Sequence, residues 1–78
     1  MLASLTAEKN EALVLHQLDI CGPLTGQEIA IRLGWGDKGT YRVLPRLSIL
    51  QGKGRVRKTA IRRMNVSGAM ATAWEIVR

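Results

Sequence analysis

Residues Thr25 to Val56 read TGQEIAIRLGWGDKGTYRVLPRLSILQGKGRV, and this stretch decides the fold. Thr25 followed three residues later by Glu28 is a capping box, in which hydroxyl and carboxylate satisfy the orphan N–H groups of a helix start. Ile29 and Leu33 then stand at i, i+4, one buried stripe of a two-turn helix. Past Gly34-Trp35-Gly36, Val43, Leu47 and Leu50 at i, i+4, i+7 mark the core face of a second helix. Asp37 and Thr40 are both suited to capping its start. With that face inward, a step of about 100° per residue turns Lys38, Tyr41, Arg42, Pro45, Ser48 and Ile49 outward, with Arg46 on the flank. Pro45 removes one backbone bond of this helix and tends to kink or restart it. Gly52-Lys53-Gly54 ends it.

A brace helix, a tight turn and a second helix with an exposed polar face resemble a helix-turn-helix, whose second helix enters the DNA major groove. The run Leu47-x-x-Leu50-x-x-x-Gly54-x-Val56 is similar to the end of the recognition helix and the start of the wing in MarR-like winged-helix regulators. Met70-Ala71-Thr72-Ala73-Trp74 also looks like the corresponding strand of small pilus-operon regulators of the PapI/FaeA type. The resemblance implies an α+β winged helix-turn-helix, three helices with a C-terminal two-stranded β-hairpin wing. One domain would fill residues 1–78. Its elements would be helix 1 at about 6–20, a brace helix at about 26–33, a recognition helix at about 38–51 and a wing at about 54–78.

The flanks fit that plan. Thr6 is an N-cap candidate with Glu8 in the first turn, where a carboxylate complements the helix dipole. Ala7, Val14, Leu15 and Leu18 form one helical face, while Leu13 and Ile20 point away as surface residues or a dimer contact. Gly22-Pro23 stops the helix, and Pro23-Leu24-Thr25 is a short extended piece before the brace helix, where the resemblance to small winged-helix domains places a first strand. Arg55–Met64 and Ala69–Arg78 are β-capable runs about the turn Asn65-Val66-Ser67-Gly68. Trp74 and Ile76 fall on one face and should seal the helices. Antiparallel pairing about that turn brings Glu75 near Lys58.

Charge points to the partner. The chain carries +6 at pH 7 with a pI near 10.5. Its distribution is uneven: nine of twelve Lys and Arg lie between Lys38 and Trp74, where no acidic residue occurs. Clustered basic charge is the footprint of a polyanion, nucleic acid first and an acidic protein or membrane surface second. With 46% hydrophobic residues, 78 residues suffice for one small core. Cys21 is the only cysteine, so neither an intrachain disulfide nor a thiolate cluster is expected, which fits a reducing cytosol. Neither a membrane-spanning run nor a secretory pattern is visible, and the expected location is cytoplasmic.

Other chemistry finds little support. Gly34, Gly36 and Gly39 match G-x-G-x-x-G, but a helix precedes them and the chain is too short for a doubly wound sheet. They are read instead as a tight reversal with Trp35 plugging the junction. His16, the sole histidine, stands five residues before Cys21 across a helix end, an arrangement unlike a nucleophile pair. Zinc-ligand spacing is absent, and Asn65-Val66-Ser67, although a glycosylation sequon, has no meaning in the cytosol.

The expectation is a non-enzymatic, sequence-specific regulator of bacterial or phage type, binding double-stranded DNA without a cofactor. It would act by occupying an operator or recruiting a partner. Lys38, Thr40, Tyr41, Arg42 and Arg46 would meet the major groove and its phosphates. Arg55, Arg57, Lys58, Arg62 and Arg63 would hold the flanking DNA from the wing, with Arg62 and Arg63 deepest because the tip is uncharged. Thr25 and Gln27 would offer backbone N–H groups to a phosphate. Expected partners are DNA, a second regulator or RNA polymerase, and a second copy of the chain on DNA. The rival is a protein-binding winged helix, a small phage or mobile-element inhibitor or adaptor docked on a host protein. RNA binding is disfavoured, because Trp35 and Trp74 read as buried and leave little aromatic platform.

Overall fold

The computed structural model describes residues 2–78, and the side chains of residues 9–36 and 38–78. In chain order the elements are helix α1 (Leu2–Cys21), strand β1 (Leu24–Thr25), helix α2 (Gly26–Arg32), a 3₁₀ turn (Asp37–Gly39), helix α3 (Thr40–Gly52) and strands β2 (Val56–Met64) and β3 (Met70–Ile76). Three helices and an antiparallel sheet make the fold α+β.

The sheet has three strands, one more than the two of the expected wing. Leu24 and Thr25 pair with Trp74 and Ala73, giving the order β1-β3-β2. The extended piece before α2 therefore ties the helical half to the returning strand. Helix α1 also begins earlier than Thr6, which lies inside it. Leu, Ala and Glu in the opening residues all favour helix, so nothing there stops it at Thr6. The proposed roles of Thr6, Ala7, Glu8 and Asp37 concern side chains outside those described. The face of α1 is otherwise as expected: Val14 and Leu18 are buried, Leu15 packs on the core, and Ile20 is exposed.

The capping box forms as read. The Thr25 hydroxyl accepts from the Glu28 N–H at 3.2 Å, and the Glu28 carboxylate accepts from the Thr25 N–H at 2.8 Å. Helix α2 ends in a Schellman motif, with Gly34 N–H donated to the Ile31 carbonyl at 3.0 Å and Trp35 N–H to the Ala30 carbonyl at 2.9 Å. Gly34 takes the left-handed conformation this requires, φ +78°. Helix α3 ends the same way: Gly54, at φ +72°, donates to the Gln51 carbonyl and Arg55 to that of Leu50. These two stops fix where the junctions on either side of α3 lie.

The start of α3 differs from expectation. Its N-cap is Gly39, without a side-chain cap bond, and Thr40 is already helical. Gly39 is chosen for space: a Cβ there would lie 2.4 Å from the Trp35 Cβ and 3.3 Å from that of Ala30. Pro45 does not restart the helix, which continues through it as one element. Only one backbone bond is forfeited, while Val43, Leu47 and Leu50 stay buried on the opposite face. That burial outweighs the loss. Full burial of each such side chain contributes about 1.5–3 kcal/mol.

The core lies between the helices and one face of the sheet. Val14 and Leu18 of α1, Ile29 of α2, Val43, Leu47 and Leu50 of α3 meet Val56 and Trp74, and Ile76 packs against the cluster. The hairpin register carries a bulge. Lys58 faces Trp74 but Arg62 faces Thr72, so residues 59–61 stand opposite Ala73 alone. Thr59 organises it: its hydroxyl donates to the Ala73 carbonyl at 2.9 Å and accepts from the Ile61 N–H at 3.1 Å. Glu75 pairs with Arg57, the neighbour of the Lys58 it was expected to lie near. Continued from the Met64–Met70 pair without the bulge, the ladder would set Glu75 opposite Thr59; the two extra residues of the bulge move it to Arg57.

Candidate nucleic-acid interface

The outer face of α3 is positioned by the junction before it. The Schellman turn swings Trp35 over the start of α3, where the absent Gly39 side chain lets it pack closely. The Arg42 guanidinium then sits 4.5 Å from the centroid of the Trp35 ring. Cation–π stacking of this kind is worth about 0.5–1 kcal/mol at an exposed site. It also narrows the rotamers Arg42 samples, so less entropy is lost when the fork meets an acceptor. Trp35 is therefore half-buried, a platform as well as a plug.

Around Arg42 the face is open. Tyr41 is 83% exposed, and Lys38 and Pro45 are exposed beside it. Thr40 and Arg46 are half-buried at its edges. Arg46 makes no ion pair with a described acidic residue. The sequence between Lys38 and Trp74 supplies none. A helix face with one guanidinium stacked on Trp35, a second at Arg46, a phenol and a lysine can meet phosphates and base edges alike.

The hairpin cations divide into two sets. Arg57 is held by Glu75 at 2.9 Å, and the Lys58 ammonium lies 5.4 Å from the Trp74 ring centroid. Arg63 donates to the Glu28 carboxylate at 2.7 Å and to the Pro23 carbonyl at 2.9 Å. It straps the hairpin to the start of α2, a structural duty that sequence reading assigned instead to deep DNA contact. Arg55 and Arg62 are exposed and without an ion pair among the described residues. Lys53, past the end of α3, is drawn to Glu11 of α1 at 3.1 Å.

Of the two backbone donors expected to meet a phosphate at α2, the one on Thr25 is already taken. Thr25 is buried, and its N–H and hydroxyl are both spent on Glu28. The Gln27 side chain accepts from the Val66 N–H at 2.8 Å, so it braces the hairpin turn. A seven-residue helix occupied in this way offers little to an anion.

No family model, characterised protein or solved structure matches the chain. What the surface can do follows from its own chemistry. Among the described residues no three His, Cys, Asp or Glu are grouped to hold a metal ion. His16 lines a shallow groove with Leu15, Asp19 and Arg55, between α1 and the base of the sheet. Asp19 there is engaged by Arg78 at 2.7 Å, and Cys21 packs against the core instead. No described helix is long and apolar enough to cross a membrane. The features that sequence reading missed are the Trp35–Arg42 stack and the Gln27–Val66 and Arg63–Glu28 ties. Each joins residues across a turn or between distant segments, which periodicity does not report.

Proposed function

We propose that the chain is a winged helix-turn-helix regulator that binds double-stranded DNA sequence-specifically in the cytoplasm. It has no catalytic chemistry and no cofactor, and acts by occupying an operator or recruiting a second regulator or RNA polymerase to it. The observation that carries this reading is the acid-free outer face of α3, with Arg42 set on the Trp35 ring and Tyr41 projecting beside it. In this reading α3 lies in the major groove, where a stacked guanidinium suits bidentate donation to guanine O6 and N7. Lys38, Thr40, Tyr41 and Arg46 meet the adjoining phosphates and base edges. Arg55 and Arg62 neutralise flanking phosphates from the hairpin, while Arg57, Lys58 and Arg63 add long-range field.

The experiment compares Arg42→Ala and Arg62→Ala on a duplex selected from a random pool and on random duplex. Arg42→Ala should cost about 1–3 kcal/mol on the selected site and relax preference at one position. Arg62→Ala should weaken both duplexes alike and reduce the salt slope by about 1. Equal losses for Arg42→Ala on both duplexes would remove its assigned role.

The exposed apolar hairpin tip favours a second reading, a protein-docking winged helix. A chain that binds both duplexes feebly but captures an acidic protein would support it.

A further inference from the structure

Resting on the DNA-binding reading, we propose that the tip of the β2–β3 hairpin is an apolar wedge that enters the minor groove, unstacks a base step and bends the duplex. Its residues are Met64, Val66 and Met70, with Arg62 beside them. Three observations converge on this.

The first is exposure. Val66 is 75% exposed, Met64 70% and Met70 50%, at the end of a hairpin whose other outward residues include Arg57, Lys58, Ile61 and Arg62. The second is register. Met64 stands opposite Met70 and Arg62 opposite Thr72, so both methionines and Arg62 share one face of the ribbon. Arg63 projects to the other face, where Glu28 and the Pro23 carbonyl hold it. The third is bracing. The Val66 N–H is anchored by the Gln27 side chain at 2.8 Å, and Arg63 ties the adjoining strand to Glu28 of the same helix at 2.7 Å. A projecting tip that must part stacked bases cannot fold back, and these ties prevent it.

Charge selects the occupant. Arg62 shares the ribbon face of the tip methionines, in a stretch from Lys38 to Trp74 without an acidic residue. A polyanion with an apolar interior that opens on demand matches that pattern, and stacked DNA is one. Inserted apolar wedges kink duplexes by about 20–90° toward the major groove. Unbranched methionine, flexible and polarizable, suits a slot between base pairs. Arg62 would neutralise the phosphates that the opened groove brings together.

The test uses the full chain and a selected duplex carrying end dyes for energy transfer, with 2-aminopurine placed at successive steps flanking the α3 site. A triple variant, Met64→Ser, Val66→Ser and Met70→Ser, alters exposed positions and is checked for an unchanged thermal transition. The wild type should shorten the end-to-end distance and brighten 2-aminopurine at one step. The variant should still prefer the selected duplex, with affinity lowered less than about tenfold, while bend and brightening vanish. A wild-type complex with straight DNA and quenched 2-aminopurine overturns the wedge alone and leaves DNA binding intact. A variant that bends DNA like the wild type does the same. If the wild type shows no preference for any duplex, the DNA-binding reading falls and the wedge with it. Sedimentation with phosphatidylserine vesicles is run in parallel, and tip-dependent binding there without DNA bending would reassign the tip to lipid.

Discussion

Replacing Arg63 with Ala should weaken the fold more than it alters DNA choice. The guanidinium bridges to Glu28 at 2.7 Å and donates to the Pro23 carbonyl at 2.9 Å. The two side chains are 40% and 35% exposed, so solvent screens the pair, which contributes about 0.5–1 kcal/mol. The charged donor to the Pro23 carbonyl adds about 1 kcal/mol after a similar discount. Glu28 also closes the capping box through the Thr25 N–H, and freeing its carboxylate from Arg63 loosens that cap by a few tenths of a kcal/mol. The sum is about 2 kcal/mol, a large share of the stability of so small a domain. It corresponds to a fall in Tm of roughly 10 °C. Urea and thermal unfolding followed by circular dichroism measure it. A double-mutant cycle with Glu28→Gln should return a coupling of about 0.5–1 kcal/mol. Arg63→Ala with an unchanged Tm and a selective loss of DNA affinity would refute the structural duty assigned to this residue.

Gly39→Ala introduces a Cβ 2.4 Å from that of Trp35, so the ring must shift and Arg42 loses its platform. Overpacking of this kind costs about 1–3 kcal/mol, and Trp fluorescence should report the displaced ring. An unaltered emission spectrum and full DNA affinity would contradict it. Leu47→Ala empties the fully buried centre of α3 and should cost about 2–5 kcal/mol in urea titrations, enough to leave much of the chain unfolded at 37 °C. A loss under about 1 kcal/mol would mean that α3 is not the central core helix.

Much of this was legible because the signals were local. The Thr25–Glu28 box, the Ile29 stripe and the Val43, Leu47, Leu50 face each lie within a few helical turns, and each forms as read. The outward direction of Tyr41, Arg42 and Pro45 follows from the same period. What was illegible depends on partners far away in the chain. The extended piece at Leu24 and Thr25 was legible, but not its partner, Trp74 and Ala73 of the returning β3. Arg62 and Arg63 are alike in sequence, yet strand alternation sends one outward and the other to Glu28. The sequence brought Glu75 near Lys58 but left the register open, because two extra residues of β2 accumulate at Thr59–Ile61, a bulge without a sequence mark beyond the Thr hydroxyl that holds it. At α2 the capping box was read correctly but one consequence was missed: of the two N–H groups expected to meet a phosphate, the one on Thr25 is consumed by the box.

Selection of bound sequences from a random duplex pool, at about 150 mM salt so that bare charge attraction is screened, tests the central claim most directly. The account predicts recovery of one motif or a pair of half-sites, whose sharpest position broadens in Arg42→Ala. Binding that recovers no motif, or no binding at all, would contradict it.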